Sequence, residues 1–556
     1  MKLLNQLGNG KQGQPLSTVP EKSVRNGTEP SIEPFISSHG VDAIQSWLVS
    51  KLAERLKLEP DDLDIHQDFA DYGLSSIEAV NLSGELENFL GCRLSPTLLW
   101  DYPTISLLAE YLVEETAHGI ERENGLETTN GHHPEVRSLE SEPAPEIEIT
   151  GEIPLEYYQF AQYPEYQHLQ QQLEEIQQLG VKNPFFIPQE GLNNDRTIIN
   201  GQELINYATY NYLGMSGDPT VSAAAKAAIE KYGTSVSASR LISGEKPLHR
   251  QLETAIAEFI GVEDCIVYVG GHATNVTTIS HLFGQNDLIL YDALSHNSIF
   301  QGCLLSGASL IAFPHNDWQA LDQILAERRR SYKRVLIVIE GVYSTDGDIP
   351  NLPQFIEVKQ RHKAFLMVDE AHSMGVLGKN GRGISEYFGI DPTDVDLWMG
   401  TLSKSFASCG GYIAGSQAVV EYLKYTAPGF VYSVGISPPN AAATLTAIQV
   451  LQAEPQRVEQ LHDRAKLFLE LAKTAGLNTG LSQDSPVIPI IVGESLKSVE
   501  LSQRLMQRGI NVPFMFYPSV PQGAARLRFF LTCTHTEAQI QTTIKTLAEE
   551  IKVIDN

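Results

Sequence analysis

F-L-M-V-D-E-A-H-S-M-G-V-L-G, from Phe365 to Gly378, and M-G-T-L-S-K-S-F-A-S-C-G-G, from Met399 to Gly411, are the two stretches that decide how this chain is read. Each opens on an apolar run of strand length and passes into a loop of small and polar residues. Asp369 and Lys404 lie 35 residues apart, which is room for one helical crossover and a second parallel strand. A lysine so placed can form a Schiff base with an aldehyde once the site relieves its charge. A carboxylate at a strand end can hold a pyridine nitrogen protonated, so that the ring accepts electrons. An isolated Lys or Asp belongs by default to a solvated surface. V-D-E-A-H followed by T-L-S-K-S points to chemistry instead.

Outward from these stretches, apolar runs alternate with helical patterns. Strands are expected at Asp264–Val269, Leu288–Tyr291, Arg334–Ile339, Ala364–Val368, Leu397–Gly400 and Tyr412–Ile413, with helices such as Pro219–Tyr232 and Leu248–Ile260 between them. This alternation predicts an α/β domain with a mostly parallel sheet, over residues 218–440. A helical region, a strand Val487–Val492, a further helix and a strand Ala525–Thr532 make residues 441–556 a smaller α+β C-terminal domain. Residues 153–217 form the N-terminal segment of this half, with a long polar helix expected near Leu155–Leu179.

The first quarter of the chain is different. Residues 1–40 are rich in Gly, Ser, Pro, Asn and Gln and read as a disordered leader. Residues 41–117 show three helical stripes: Ile44, Trp47, Leu48, Leu52; then Ala79, Leu82, Leu86, Leu90; then Leu107, Leu108, Tyr111, Leu112. They read as a small helical bundle with a long loop, L-E-P-D-D-L-D-I-H-Q-D-F-A-D-Y-G, between the first two stripes. Residues 118–152 lack periodicity and read as an acidic linker, with an r.m.s. span of roughly 30–35 Å for a flexible chain of that length.

Of the 556 residues, 40 are Lys or Arg and 68 are Asp or Glu, a formal charge of −28. That argues against nucleic acid and an anionic membrane as natural partners. Residues 41–117 carry a net −11 and residues 118–152 a net −7, so the acidity is concentrated in one module. The five cysteines are odd in number and without a C-x-x-C, which argues against a disulfide framework or a zinc site. No signal peptide or membrane-length apolar run is evident, and a cytoplasmic protein is expected.

D-Y-G-L-S-S-I, Asp71 to Ile77, resembles the attachment motif of acyl and peptidyl carrier proteins. The resemblance covers residues 41–117 and implies a four-helix carrier bundle with 4'-phosphopantetheine on Ser76. Ser75 stands where that family commonly has an acidic residue. A phosphodiester at a helix N-terminus meets free N–H groups and the positive end of the dipole, which suits the role. By itself Ser76 would read as an ordinary N-cap; the acidic bundle and the G-L-x-S-I pattern favour the carrier.

The remainder, about residues 153–556, resembles the α-oxoamine synthases among the fold-type I pyridoxal-phosphate enzymes, a family that includes 8-amino-7-oxononanoate synthase and serine palmitoyltransferase. Besides the two opening stretches, the resemblance rests on N-Y-L-G (Asn211–Gly214), Y-G-T-S-V-S-A-S-R-L-I-S-G (Tyr232–Gly244), G-G-H-A-T-N (Gly270–Asn275), S-H-N-S (Ser295–Ser298), G-V-Y-S-T-D-G-D (Gly341–Asp348) and A-R-L-R-F (Ala525–Phe529). It implies Lys404 as the Schiff-base lysine and Asp369 as the partner of the pyridine nitrogen. His296 would stack on the ring, and His372 would bond the phenolic oxygen. Ser344 would lie near the ring oxygen. Gly271, His272 (through backbone only) and Thr401 would hold the phosphate of pyridoxal 5'-phosphate. Arg528 would bind the amino-acid carboxylate, leaving Arg526 a structural or surface charge. F-V-Y-S-V-G-I-S-P-P, Phe430 to Pro439, resembles the segment through which a second subunit reaches the phosphate, although Val434 stands where a hydroxyl is common; it implies a homodimer. His132, His133, His249, His362 and His462 belong to no motif and are expected on the surface or in the core.

The activity so implied is decarboxylative condensation of an amino acid with a carrier- or CoA-bound acyl thioester, giving an α-aminoketone and CO2. Glycine, alanine and serine all stay open as the amino acid. The partners implied are a phosphopantetheinyl transferase and acyl-loading, polyketide or fatty-acid enzymes. One rival, an aminotransferase acting on a carrier-bound substrate, needs the same Lys and Asp; a second is a non-catalytic carrier and binding subunit, against which the retention of Lys404, Asp369, His372 and His296 speaks.

Overall fold

The computed structural model describes residues 40–56, scattered positions between 60 and 102, residues 104–113 and 152–178, and, apart from 184, 517 and 518, residues 183–555. Ser75, Ser76, the leader and nearly all of the expected linker lie outside the described residues. The chain divides into two compact units, a smaller N-terminal one and a larger one that contains everything from Ser141 onward.

In the smaller unit the helix Val41–Leu56 turns Ile44, Leu48 and Leu52 inward at spacings of four, and all three are buried, as are Leu86, Leu90, Ile105, Leu108 and Leu112. Trp47 stacks on Phe89 with ring centroids 5.0 Å apart. The loop after the first helix is tied down where Ser106 N donates to the Ile65 carbonyl at 2.9 Å.

The larger unit begins with two turns of 3₁₀ helix and the helix Pro164–Gln178, rather than one long helix from Leu155. Pro164 is the reason: the residue before a proline is driven out of the helical region, and Tyr163 is extended at φ −65°, ψ 124°. A hairpin follows, β1 (Arg196–Ile199) and β2 (Gln202–Asn206), joined by Asn200 and Gly201, both at positive φ (52° and 75°). Asn-Gly is the pair that a two-residue hairpin with the twist of its strands demands; the hairpin was not among the expected strands.

The central sheet comprises β3 (Asp264–Tyr268), β4 (Leu288–Asp292), β5 (Ser309–Phe313), β6 (Val335–Glu340), β7 (Phe365–Asp369), β8 (Leu397–Thr401) and β9 (Gly411–Gly415). Their spatial order is β3-β9-β8-β7-β6-β4-β5. All neighbours are parallel except at β9, which is antiparallel to both of its partners. Alternate residues of the inner strands enter two separate cores. Ile337, Ile339, Leu366 and Val368 face one, and Leu336, Val338 and Met367 face the other. Burial on both faces is why these strands read as continuous apolar runs. β5 is an edge strand in which Phe313 alone is fully buried, and it is not among the expected strands.

Two smaller sheets complete the unit. β10 (Val487–Gly493), β12 (Phe514–Met515) and β13 (Ala525–Phe530) form one in the order β10-β13-β12, and β11 (Ile510–Asn511) joins β2 and β1 in the other. No helix among the described residues is long and apolar enough to cross a membrane.

Candidate active site

The C-terminal ends of β4, β6, β7 and β8 lie side by side, and the loops leaving them carry the chemistry. This is the edge of an open parallel sheet where ligands bind. The register sets Glu340 beside Asp369 and Asp369 beside Met399.

Asp369 closes β7 and is buried. One carboxylate oxygen accepts the Ala371 amide at 2.9 Å, and the other accepts Asn275 Nδ2 at 2.8 Å. Asn275 Nδ2 also donates to Ser298 Oγ at 2.8 Å, and Ser298 Oγ meets His296 Nδ1 at 2.7 Å. A hydrogen-bonded chain therefore links His296 to Asp369 through two buried side chains. The His296 amide donates to Glu340 Oε1 at 2.6 Å. Although much of the His296 ring is open, the protein around it desolvates it and holds its pKa below the ordinary imidazole value, against the raising pull of Asp369.

Lys404 follows β8 in the loop that the two glycines Gly410 and Gly411 close. Burial pulls its ammonium down to about 8, against the opposing pull of Asp369 and Glu340. No hydrogen bond or ion pair reaches its Nζ among the described residues; that atom lies 5.4 Å from the centroid of the Tyr210 ring. Glu340, at the end of β6, is buried, and burial together with the Asp369 charge raises its pKa well above the carboxylate range.

His372 is buried with Nδ1 2.8 Å from the Tyr212 hydroxyl. Burial, then the charges of Lys404 and Arg528, push its pKa well below 6.5, while burial pushes the Tyr212 phenol well up. Tyr212 thus keeps its proton and His372 stays neutral; when the hydroxyl donates to Nδ1, the ring's own proton stands on Nε2.

The helix Gly271–Leu282 starts against Thr401: a Cβ on Gly271 would stand 2.9 Å from Thr401 Oγ1 and 3.1 Å from Thr401 Cβ. Only glycine lets that helix N-terminus approach so closely. The Thr401 hydroxyl bonds Ser403 Oγ at 3.0 Å and the Gly410 carbonyl at 3.1 Å. The His272 side chain is exposed in the first turn of that helix. Free N–H groups there are suited to an anion.

Arg526 and Arg528 share one face of β13, as strand alternation requires, and both reach the loop after β6. Arg528 Nη1 donates to the Ser344 carbonyl at 2.9 Å, and Nη2 makes a long contact of 3.4 Å to the Tyr210 hydroxyl. Arg528 Nε is buried without a partner. Nη2 has a second hydrogen beside Nε, so the Nε–Nη2 edge can still give two parallel N–H bonds to a carboxylate. Arg526 is buried, not a surface charge; it pairs with Asp346 and donates to the Thr345 carbonyl at 3.3 Å.

The structure thus gathers Lys404, Asp369, His296, His372, Arg528 and Ser344 at one edge, with Gly271, His272 and Thr401 around the helix N-terminus. Ser76 lies outside the described residues. Asn275, Tyr210, Tyr212, Glu340 and Ser298 were given no role from sequence. Asn275, Tyr212 and Ser298 stand inside motifs quoted above, but only the fold shows which way they reach. Of the unassigned histidines, His249 bonds the Ile436 carbonyl, His362 bonds Asp322 and His462 bonds the Val376 carbonyl; His132 and His133 lie outside the described residues. Among the described residues, no cluster of three or more His, Cys, Asp or Glu side chains could hold a metal ion.

The donor set fits pyridoxal phosphate: an unpaired lysine of lowered pKa, a buried carboxylate with two donors on it, and a helix N-terminus cleared by glycine. Aminotransferase class I and II matches residues 202–547, and the phosphopantetheine attachment site matches residues 46–112. The chain belongs to the class I and II aminotransferase family, with an N-terminal phosphopantetheine attachment module. Within that family it is similar to the 8-amino-7-oxononanoate synthase of Symbiobacterium thermophilum, 38% identical over 381 residues that cover 68% of this chain and 96% of the relative. It is also similar to serine palmitoyltransferase 3 of Caenorhabditis elegans, 39% identical over 61% of this chain and 69% of the relative. Among solved structures it resembles the serine palmitoyltransferase of Sphingomonas wittichii, with a TM-score of 0.68 and 32% identity over 70% of this chain and 98% of the other.

Proposed function

We propose that the chain condenses an amino acid with an acyl thioester, releasing CO2 and an α-aminoketone, and that it carries the acyl group on phosphopantetheine at Ser76. The observation that supports this most directly is the meeting of Lys404, Asp369 and Arg528, whose Nε is buried without a partner, at one sheet end, in a chain that also bears a carrier module. Pyridoxal phosphate, when bound, supplies an electron sink for the substrate Cα.

The protein's residues do the rest. Lys404, its pKa lowered to about 8 by burial, takes the Cα proton. Asp369, fixed by Asn275 and Ala371, holds a proton on the pyridine nitrogen. His372 donates from Nε2 to the phenolic oxygen, and Ser344 lies beside it. His296, anchored through Ser298 and Glu340, covers one ring face. Gly271 and His272 offer backbone N–H groups to the phosphate, and Thr401 its hydroxyl. Arg528 orients the amino acid by its carboxylate. The exposed side chains of Tyr432 and Val434, in the segment read as a subunit contact, support a homodimer. The carrier requires a phosphopantetheinyl transferase and acyl-loading enzymes as partners.

The test is to load Ser76 with acyl-phosphopantetheine and supply glycine, alanine and serine in turn. Carrier deacylation by intact-protein mass spectrometry, with CO2 released in equal amount, is the expected result. A keto product formed by amine exchange without CO2 would overturn the reading.

A further inference from the structure

His315 belongs to none of the motifs and touches none of the residues assigned above, yet it joins two of the loops that carry them. It follows β5, in the turn before the helix Trp318–Arg328. Its Nδ1 lies 2.8 Å from Asp292 Oδ1, and its Nε2 lies 2.9 Å from Asp348 Oδ2. Both carboxylates are buried. A ring that bonds a carboxylate at each nitrogen must carry both protons, and only an imidazolium can donate in both directions. The two carboxylates agree with this, raising the His315 pKa to about 10 against the lowering effect of its burial. Its neighbour Asn316 bonds the same pair, its amide donating to Asp292 Oδ2 at 2.8 Å and its side chain to Asp348.

The two aspartates stand at opposite ends of their loops, Asp292 at the start of one and Asp348 at the end of the other. Asp292 ends β4, accepts the Leu294 amide at 2.8 Å and the Ser295 amide at 2.9 Å, and so shapes the turn that delivers His296. Asp348 closes the loop after β6: its carbonyl accepts the Tyr343 amide at 3.1 Å, and the Gly347 amide returns to the Tyr343 carbonyl at 2.8 Å. Between them is Ser344, whose carbonyl holds Arg528. The Tyr343 ring meets His315 edge-on at 4.5 Å.

We infer that His315 is a positioning residue, a cationic clamp that fixes the β6 loop against the β4 loop and thereby aims the Nε–Nη2 edge of Arg528 at the carboxylate of the amino acid. This rests on the reading of Arg528 given above. Arg526 holds the same loop from its other side through Asp346, so losing the clamp should loosen the loop without unfolding it.

The test is binding of amino acids to the cofactor-loaded protein without acyl donor, followed by the change in cofactor absorbance. Each amino acid is compared with its amine lacking the carboxylate: glycine with methylamine, serine with ethanolamine. His315→Gln can donate at one end only and breaks one charge-assisted bond. Amino-acid affinity should fall by about tenfold or more, the effect of a lost hydrogen bond to a charged group, while amine affinity should change less than about twofold. Asp348→Asn leaves the ring in place and should give the same split if His315→Gln folds poorly. Arg528→Ala is the reference. If it removes the preference for the carboxylate and the clamp variants keep the wild-type preference, the clamp is refuted and the Arg528 reading stands. If Arg528→Ala leaves the preference intact, the Arg528 reading fails and the inference falls with it.

Discussion

Replacing Asn275 with leucine separates stability from function. In the native site the amide nitrogen of Asn275 gives Asp369 one of its two hydrogen bonds, at 2.8 Å. A hydrogen bond to a charged group contributes about 1.5–3 kcal/mol. Asn275 Oδ1, however, is buried without a partner, and an unsatisfied buried acceptor costs about 1–3 kcal/mol. Leucine keeps the branched outline and removes both terms, which offset, but its methyl groups are larger than the amide and overpacking a buried site costs about 1–3 kcal/mol, so the melting temperature should fall by a few degrees. Cofactor binding has no such offset. Asp369 would face the pyridine nitrogen with only the Ala371 amide to hold it, and His296 would lose its link to Asp369. Affinity for the cofactor should fall roughly ten- to a hundredfold, at 1.4 kcal/mol per tenfold. Exchange of the amino-acid Cα proton with deuterium should slow as well. Titration of apo-protein with pyridoxal phosphate and NMR of the amino acid in D2O give both values. A variant with wild-type melting, affinity and exchange would refute the view that Asn275 positions Asp369.

Lys404→Ala should abolish the cofactor absorption band and turnover while leaving the protein folded; a band unchanged in the mutant would remove Lys404 from its role. In apo-protein, Lys404→Met should raise the melting temperature at pH 7. Folded Lys404 titrates at about 8 and its unfolded form at the ordinary 10.5, so wild type pays for the buried charge below pH 8; the advantage of methionine should fade as pH rises from 8 to 10.5, and a pH-independent difference would contradict it. Gly271→Ala should weaken pyridoxal phosphate far more than phosphate-free pyridoxal, because the new Cβ meets Thr401 at the helix N-terminus; equal losses for both would place the phosphate elsewhere. Ser76→Ala should take up no phosphopantetheine from a transferase, by mass, yet keep the cofactor band. A mutant that still gains the arm moves the site to Ser75.

Strand placement was legible wherever both faces of a strand are buried, because burial on both faces writes a continuous apolar run; β3, β4, β6, β7 and β8 were found within a residue or two at each end. The edge strand β5 and the β1–β2 hairpin were missed because partial burial leaves a weak pattern, although Asn200-Gly201 marked the hairpin turn. The polar composition of residues 155–179 suggests one long helix, but Pro164 starts the helix there.

The linear sequence by itself determined the two-module organisation, the α/β class and the identities of Lys404, Asp369, His296, His372, Thr401 and Arg528 as residues to bring together. The organisation, the class and the Lys404–Asp369 pair follow from local rules, periodicity and loop chemistry at strand ends; His296, His372, Thr401 and Arg528 follow only from the resemblance to the α-oxoamine synthases. The tertiary structure alone decided the partners. Asn275 reaches Asp369 across 94 positions and Tyr212 reaches His372 across 160, and Arg526 is buried on Asp346 instead of solvated. His315 joins Asp292 to Asp348 in the same way. A hydrogen bond depends on ångströms and angles between chain segments, and periodicity carries no information about either until the sheet order places the segments side by side.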